Sequence, residues 1–122
     1  MKLVNKIFII FLILVVISQF IGPDKNKGDI ATVAEFLKET KPPENVQKIL
    51  ETTCFDCHSN HTNYPWYNNI TPLNYWLNHH IEEGKEHLNF SEWNTYSLKK
   101  KDHKIDELYE EVEDGEMPLK SY

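Results

Sequence analysis

The sequence contains no arginine, so all thirteen of its positive side chains are lysines. Arginine is the usual bidentate clamp for carboxylates, and a buried carboxylate here must find another partner. Cysteine is scarce: Cys54 and Cys57 are the only two, and one short motif uses both. Methionine is limited to Met1 and Met117, too few to serve as core filler. There is no internal repeat, no low-complexity tract and no surviving strand alternation, which makes the fold class all-α. No basic patch is interleaved with aromatic residues, and the formal net charge is −6; no nucleic acid is expected as a partner. A length of 122 residues bounds the part outside any membrane to one domain.

The feature that stands out is Cys54-Phe55-Asp56-Cys57-His58. It reads C-x-x-C-H, the spacing of c-type haem attachment. In the last turn of a helix, Cys54, Cys57 and His58 fall at i, i+3 and i+4 and share one face. Two thiols so placed add to the two haem vinyl groups, and the imidazole next to the second anchor reaches the iron as proximal ligand. Phe55 and Asp56 read as spacers. Three other chemistries use a cysteine pair. A thioredoxin-like redox site needs a βαβ context that is absent, a zinc site needs further ligands at compact spacing, and a disulfide could simply bridge the gap.

Residues 1–22 read as a transmembrane signal anchor. Ile7 to Ile17 is an unbroken apolar run, and Leu3–Ile21 approaches the roughly 20 residues of a spanning helix. Lys2 and Lys6 precede the run, which places the N-terminus in the cytoplasm and the remainder on the periplasmic side of the inner membrane. No small-x-small cleavage site follows. Residues 23–28 read as a linker and 29–122 as the domain that carries the motif.

Asp29 is placed to cap a helix from Ile30 to about Thr40, with Ile30, Val33, Ala34 and Leu37 as its apolar stripe. Pro42-Pro43 stops it. A second helix from Glu44 buries Val46, Ile49, Leu50 and Thr53 and delivers Cys54 at its end. Thr71-Pro72 starts a third, to about Glu83, stopped by Gly84. Ser91 is placed to cap a short helix holding Trp93 and Tyr96, and Lys99-Lys100-Lys101 reads as a solvated turn. Asp102 caps the last helix, striped by Ile105, Leu108, Tyr109 and Val112 and stopped by Gly115.

Between the motif and the third helix, Tyr64, Trp66 and Tyr67 are large rings in an Asn-rich loop, expected to pack on a porphyrin or on the core around it. Trp76 and His80 share the apolar face of the third helix, and His79 lies off it. His80 reads either as a hydrogen-bonded core histidine or as a ligand. Met117 follows a helix-stopping Gly and precedes Pro118, so its thioether is offered on a stiff loop, suited to the iron opposite His58.

The run Cys54-x-x-Cys57-His58-Ser59-Asn60-x-Thr62-x-Tyr64-Pro65-Trp66-Tyr67 resembles the signature of the bacterial haem-binding domain family, c-type cytochrome-like domains often tethered to a membrane. The likeness continues through Trp76, His80-Ile81, Gly84, Leu88-Asn89-Phe90-Ser91-x-Trp93 and Gly115-x-Met117-Pro118 with Tyr122, and includes Gln19-Phe20-Ile21. It implies one covalent haem c on Cys54 and Cys57, His58 as proximal iron ligand and Met117 as the sixth. Two departures stand out. Family members often carry Arg after the helix-ending Gly, where this chain has Lys85. They also continue past the position of Tyr122 into another helix, so this sequence reads as truncated.

Together these features lead to a membrane-anchored monohaem electron carrier with an unidentified redox partner. A haem enzyme or sensor with a displaceable sixth ligand is the alternative, kept open by His61 and His80. A non-haem module closed by a Cys54–Cys57 disulfide is the other.

Overall fold

Polar side chains decide where the first helix stops. In the computed structural model, which describes residues 2–121, α1 spans Leu3–Ser18. Ser18 turns its hydroxyl back onto the Val15 carbonyl at 2.7 Å, and Gln19 adds a second bond to the same oxygen at 3.1 Å. Gln19 also ties the following turn to the backbone of Thr71, accepting from its N–H at 3.0 Å. Sixteen residues rise only about 24 Å, against about 30 Å of bilayer hydrocarbon. Among the described residues no helix is long and apolar enough to cross a membrane. The expected transmembrane anchor over 1–22 is therefore corrected, and the single-pass inner-membrane placement and periplasmic orientation that rested on it fall with it. Tyr122, quoted in the family likeness, lies outside the described residues.

The segment read as a linker is hydrogen-bonded across the loop that follows the cysteine motif. Lys27 bridges His61 as an isolated antiparallel pair, and Gly28 N–H donates to the Asn60 carbonyl at 2.6 Å. Asn26 donates its side-chain amide to the Ser59 carbonyl and to Thr62 Oγ1, both at 2.9 Å.

Asp29 caps as expected, accepting from Ala31 N–H at 2.9 Å, though the chain enters through a 3-10 turn (Ile30–Val33) before α2 (Ala34–Thr40). The stripe differs from the expected one: Ile30 is exposed and Phe36 is buried. Left-handed Lys41 turns the chain out. Then α3 (Glu44–Ile49), a π turn (Leu50–Cys54) and α4 (Phe55–His58) succeed one another without a break. The π turn adds a residue to the helical repeat and rotates the next turn by about 100°. Leu50 is buried, while Val46 and Ile49, expected on the same face, are exposed.

The core is aromatic. Val33, Phe36, Leu50, Phe55, Leu88, Phe90 and Trp93 form one buried cluster. The Phe36 ring lies 4.5 Å from Phe90 and 5.0 Å from Trp93; each such ring pair contributes about 1 kcal/mol beyond its area burial. Phe55, read as a spacer, is part of this cluster and anchors the motif to it.

α5 (Leu73–His87) buries Asn74, Leu77, Ile81 and Gly84 and packs on α4, with Gly84 against Cys57. It runs past Gly84, which is therefore an interior position and not the stop. Thr71 makes no cap; the helix begins after Pro72. Asn89, not Ser91, caps the 3-10 helix Phe90–Thr95, and Ser97, not Asp102, caps α6 (Leu98–Glu113). In both places a better-placed polar side chain lies upstream of the expected one. Lys99, Lys100 and Lys101 thus form the first turn of α6, while Glu110, Glu111 and Glu113 occupy its last. α6 is tied to the body by the Lys101–Glu39 ion pair at 2.6 Å, by Lys101 over the Trp93 ring and by Leu108 against the core.

Candidate haem-binding site

The cysteine motif closes the 44–58 helical stretch. Thr52 Oγ1 bonds the Lys48 carbonyl at 2.8 Å just before it, the back-bonding that loosens a helix ladder. Cys54 ends the π turn, and Cys57 and His58 lie one turn on, in α4. All three side chains are half-buried, and both thiols are free. Asp56, the second presumed spacer, is buried: its carbonyl accepts from Thr62 Oγ1 at 2.5 Å and its carboxylate from Asn63 N–H at 2.9 Å. Both intervening residues therefore fix the motif, Phe55 to the core and Asp56 to the loop beyond. Neither contact lies on the helical face that Cys54, Cys57 and His58 share, so the spacing of the motif does not reveal it.

His58 is held from α5 and its exit. Its Nδ1 bonds the Leu88 carbonyl at 2.9 Å, which fixes that nitrogen as the N–H and leaves Nε2 as the basic one. Burial pushes the imidazole below its ordinary value, opposed by the Leu88 and Gly84 carbonyls and reinforced by His87. A neutral imidazole is the form that binds iron. Desolvation likewise raises the Cys54 thiol. It lifts Cys57 further, to about 11, with the Asp56 carboxylate and Cys54 adding to the effect.

The other expected site residues are dispersed. The Tyr64 hydroxyl accepts from Asn26 N–H at 2.6 Å, with the Lys25 ammonium 5.5 Å from its ring centre. Trp66 is 76 % exposed and meets Tyr67 edge-on at 5.9 Å. Trp76 stands edge-on to His80 at 4.7 Å. His80 is half-buried and His79 exposed, but the expected stripe is not the buried face: Leu73 and Trp76 are exposed, and α5 buries Asn74, Leu77, Ile81 and Gly84. Met117 is half-buried on the turn after α6, its N–H bonded to the Glu111 carbonyl at 3.0 Å. Gly115 makes that turn at φ +74°. Among the described residues no hydrogen bond or ring contact joins Met117 or His80 to the motif. Lys85, at the position where arginine is common, donates to Asn26 Oδ1 at 3.3 Å.

The donor set suits a haem. Two free thiols stand one helical turn apart beside a neutral imidazole with its second nitrogen satisfied. Ile49 (57 % exposed), Leu73 (40 %) and Trp76 (38 %) offer large apolar side chains to whatever covers them. Cys54, Cys57 and His58 would hold the group. No cluster of three or more His, Cys, Asp or Glu side chains suited to a bare metal ion occurs among the described residues.

No curated protein and no solved structure matches the chain. A family model described as haem-binding domain matches residues 13–122, nearly the whole length. The sequence likeness, the all-helical fold and the thiol–thiol–imidazole set agree with that match, and the chain belongs to the haem-binding domain family.

Proposed function

We propose that the protein carries one covalently attached haem c and serves in electron transfer. Thioether bonds form to Cys54 and Cys57, His58 is the proximal iron ligand, and Met117 is the sixth. The observation that carries this reading is the pairing of His58 Nδ1 with the Leu88 carbonyl at 2.9 Å, one residue beyond a free cysteine pair. An imidazole with one nitrogen fixed and the other available is what an iron ligand requires, and neither a disulfide nor a thioredoxin-like site would need it.

The bound group supplies the one-electron chemistry; the chain supplies ligands, burial and access. Phe55 anchors the motif in the core, so the thiols are presented from a rigid support. Gly84 lets α5 approach the Cys57 backbone. Thioether ligation by Met117 would favour ferrous iron and raise the reduction potential relative to two imidazoles.

Acid-acetone extraction followed by a pyridine haemochrome spectrum is the test. A covalent haem stays with the polypeptide and gives the spectrum of a two-thioether haem. Cys54→Ala and Cys57→Ala should each shift the α-band to the single-thioether position and lower the holoprotein yield, and His58→Ala should largely prevent maturation. Haem lost on extraction from the wild type would reject covalent attachment.

A further inference from the structure

Two short runs of chain lie clipped together behind the proposed proximal ligand. On one side are His58 and Asn60, on the other Leu88, Asn89 and Ser91. His58 Nδ1 donates to the Leu88 carbonyl at 2.9 Å. The Asn89 side-chain amide donates to Asn60 Oδ1 at 2.8 Å, and Asn60 N–H donates to Ser91 Oγ at 2.9 Å. Asn89 is 2 % exposed and its remaining groups are also used: its N–H donates to the Tyr96 hydroxyl at 3.1 Å, and its Oδ1 accepts from Ser91 N–H at 3.1 Å.

The position of the latch gives it a consequence for the imidazole. Leu88 is the C-cap of α5 and already extended, with φ −151° and ψ 121°, so the helix ladder does not orient its carbonyl. Residue 88 is immediately followed by the latched Asn89, and His58 is two residues before the latched Asn60. The side-chain pair therefore sets the Leu88 carbonyl against the imidazole from both runs at once. Buried and fully satisfied polar networks rigidify the segments they join.

Resting on the reading of His58 as iron ligand, we infer that Asn60 and Asn89 are positioning residues for its imidazole. By holding the Leu88 carbonyl on Nδ1–H they fix the tautomer and rotation of the ring and set the donor strength of Nε2. A hydrogen bond accepted from Nδ1–H makes a ring a stronger donor through its other nitrogen and favours the oxidised metal. Breaking the latch should then raise the reduction potential without removing any ligand.

The test uses two states of the full chain. In the haem-free protein, the exchange rate of the His58 Nδ1–H with solvent is followed by NMR in wild type, Asn60→Ala, Asn89→Ala and the double variant. Each single variant should exchange at least tenfold faster, and the double variant no faster than the quicker single, because both remove the shared Asn60–Asn89 bond. Asn60→Asp, which keeps the Oδ1 acceptor, should restore slow exchange. Unchanged exchange in folded Asn60→Ala overturns the inference, and that variant decides alone if Asn89→Ala does not fold. In the haem-loaded protein, Asn60→Ala should raise the potential with His58 still bound. An unchanged potential alongside faster exchange overturns the claim on the iron. Haem failing to attach to the wild type refutes the proposed function instead, while the haem-free exchange still decides the latch.

Discussion

Gly84 lies so close to Cys57 that a Cβ on it would stand 2.6 Å from the Cys57 carbonyl oxygen and 3.2 Å from the Cys57 Cβ. The neighbour is backbone, which cannot swing aside, so α5 and α4 can meet at this distance only through a glycine.

Gly84→Ala should therefore push the two helices apart and destabilise the haem-free protein by about 1–3 kcal/mol, the usual cost of overpacking. Gly115→Ala is the comparison. Gly115 has a positive φ but open space around it, so alanine there meets only backbone strain, about 1 kcal/mol. Urea unfolding measures both. A Gly84→Ala protein as stable as wild type would contradict the close approach.

The titration of the motif gives a second expectation. Cys57 is raised from 9.0 to about 11, so at neutral pH its thiolate should be about 100-fold scarcer than that of a free thiol. Alkylation of the haem-free protein should be correspondingly slow at this residue. A thiol raised on folding contributes stability that is present below its unfolded value and lost as pH rises through the folded one, so the haem-free protein should weaken from pH 9 to about 11. His58 is lowered by burial. Its contribution is complete above the unfolded value of 6.5 and is lost as pH falls below it. Cys57→Ser should reduce the alkaline loss, leaving the part that the raised Cys54 thiol contributes, and should leave the acid one. An alkaline profile that Cys57→Ser does not change would refute the assignment.

The sixth ligand is expected to be Met117 and not His80. Gly115 turns the chain and Pro118 follows the thioether, whereas His80 is already engaged edge-on with Trp76. Ferric protein should show the weak long-wavelength band of a methionine–iron bond. Met117→Ala should abolish the band and lower the potential, and His80→Ala should leave both in place. A wild type without the band, together with high-spin iron in His80→Ala, would assign the ligand to His80.

Asp106, Glu107, Glu110, Glu111, Glu113, Asp114 and Glu116 precede Met117 closely in the chain. With Met117 on the iron, this charge borders one haem face and favours a basic redox partner. Association should slow as ionic strength rises, measured by stopped-flow electron transfer to a small basic protein. Rates indifferent to salt would remove the acidic face from the encounter.

Much of the site was legible because it follows from spacing. Cys54, Cys57 and His58 need only the i, i+3, i+4 rule, and Asp29 and Gly115 mark helix ends by side-chain chemistry and backbone freedom. The features that escaped depend on contacts distant in sequence. Phe55 looked idle until Phe90 met it. Gly84 looked like a stop because only the Cys57 backbone reveals why it lacks a side chain. Val46 and Ile49 share an apolar period with Leu50, but only Leu50 reaches the aromatic cluster. The extent of α1 was overestimated because hydropathy continues through Phe20 and Ile21, while Ser18 and Gln19 end the helix by hydrogen bonding.

The charge order of α6 runs against the field of its own backbone. Lysines 99 to 101 crowd the end where the peptide dipoles already leave positive charge, and the glutamates crowd the end where they leave negative charge. Left to itself the helix is electrostatically inverted, and its persistence depends on the Ser97 cap and on the Lys101 and Lys104 pairs with Glu39 and Glu107. Dissolved salt would relieve the inversion and weaken those two pairs together, so its two effects on the helix that precedes Met117 oppose each other.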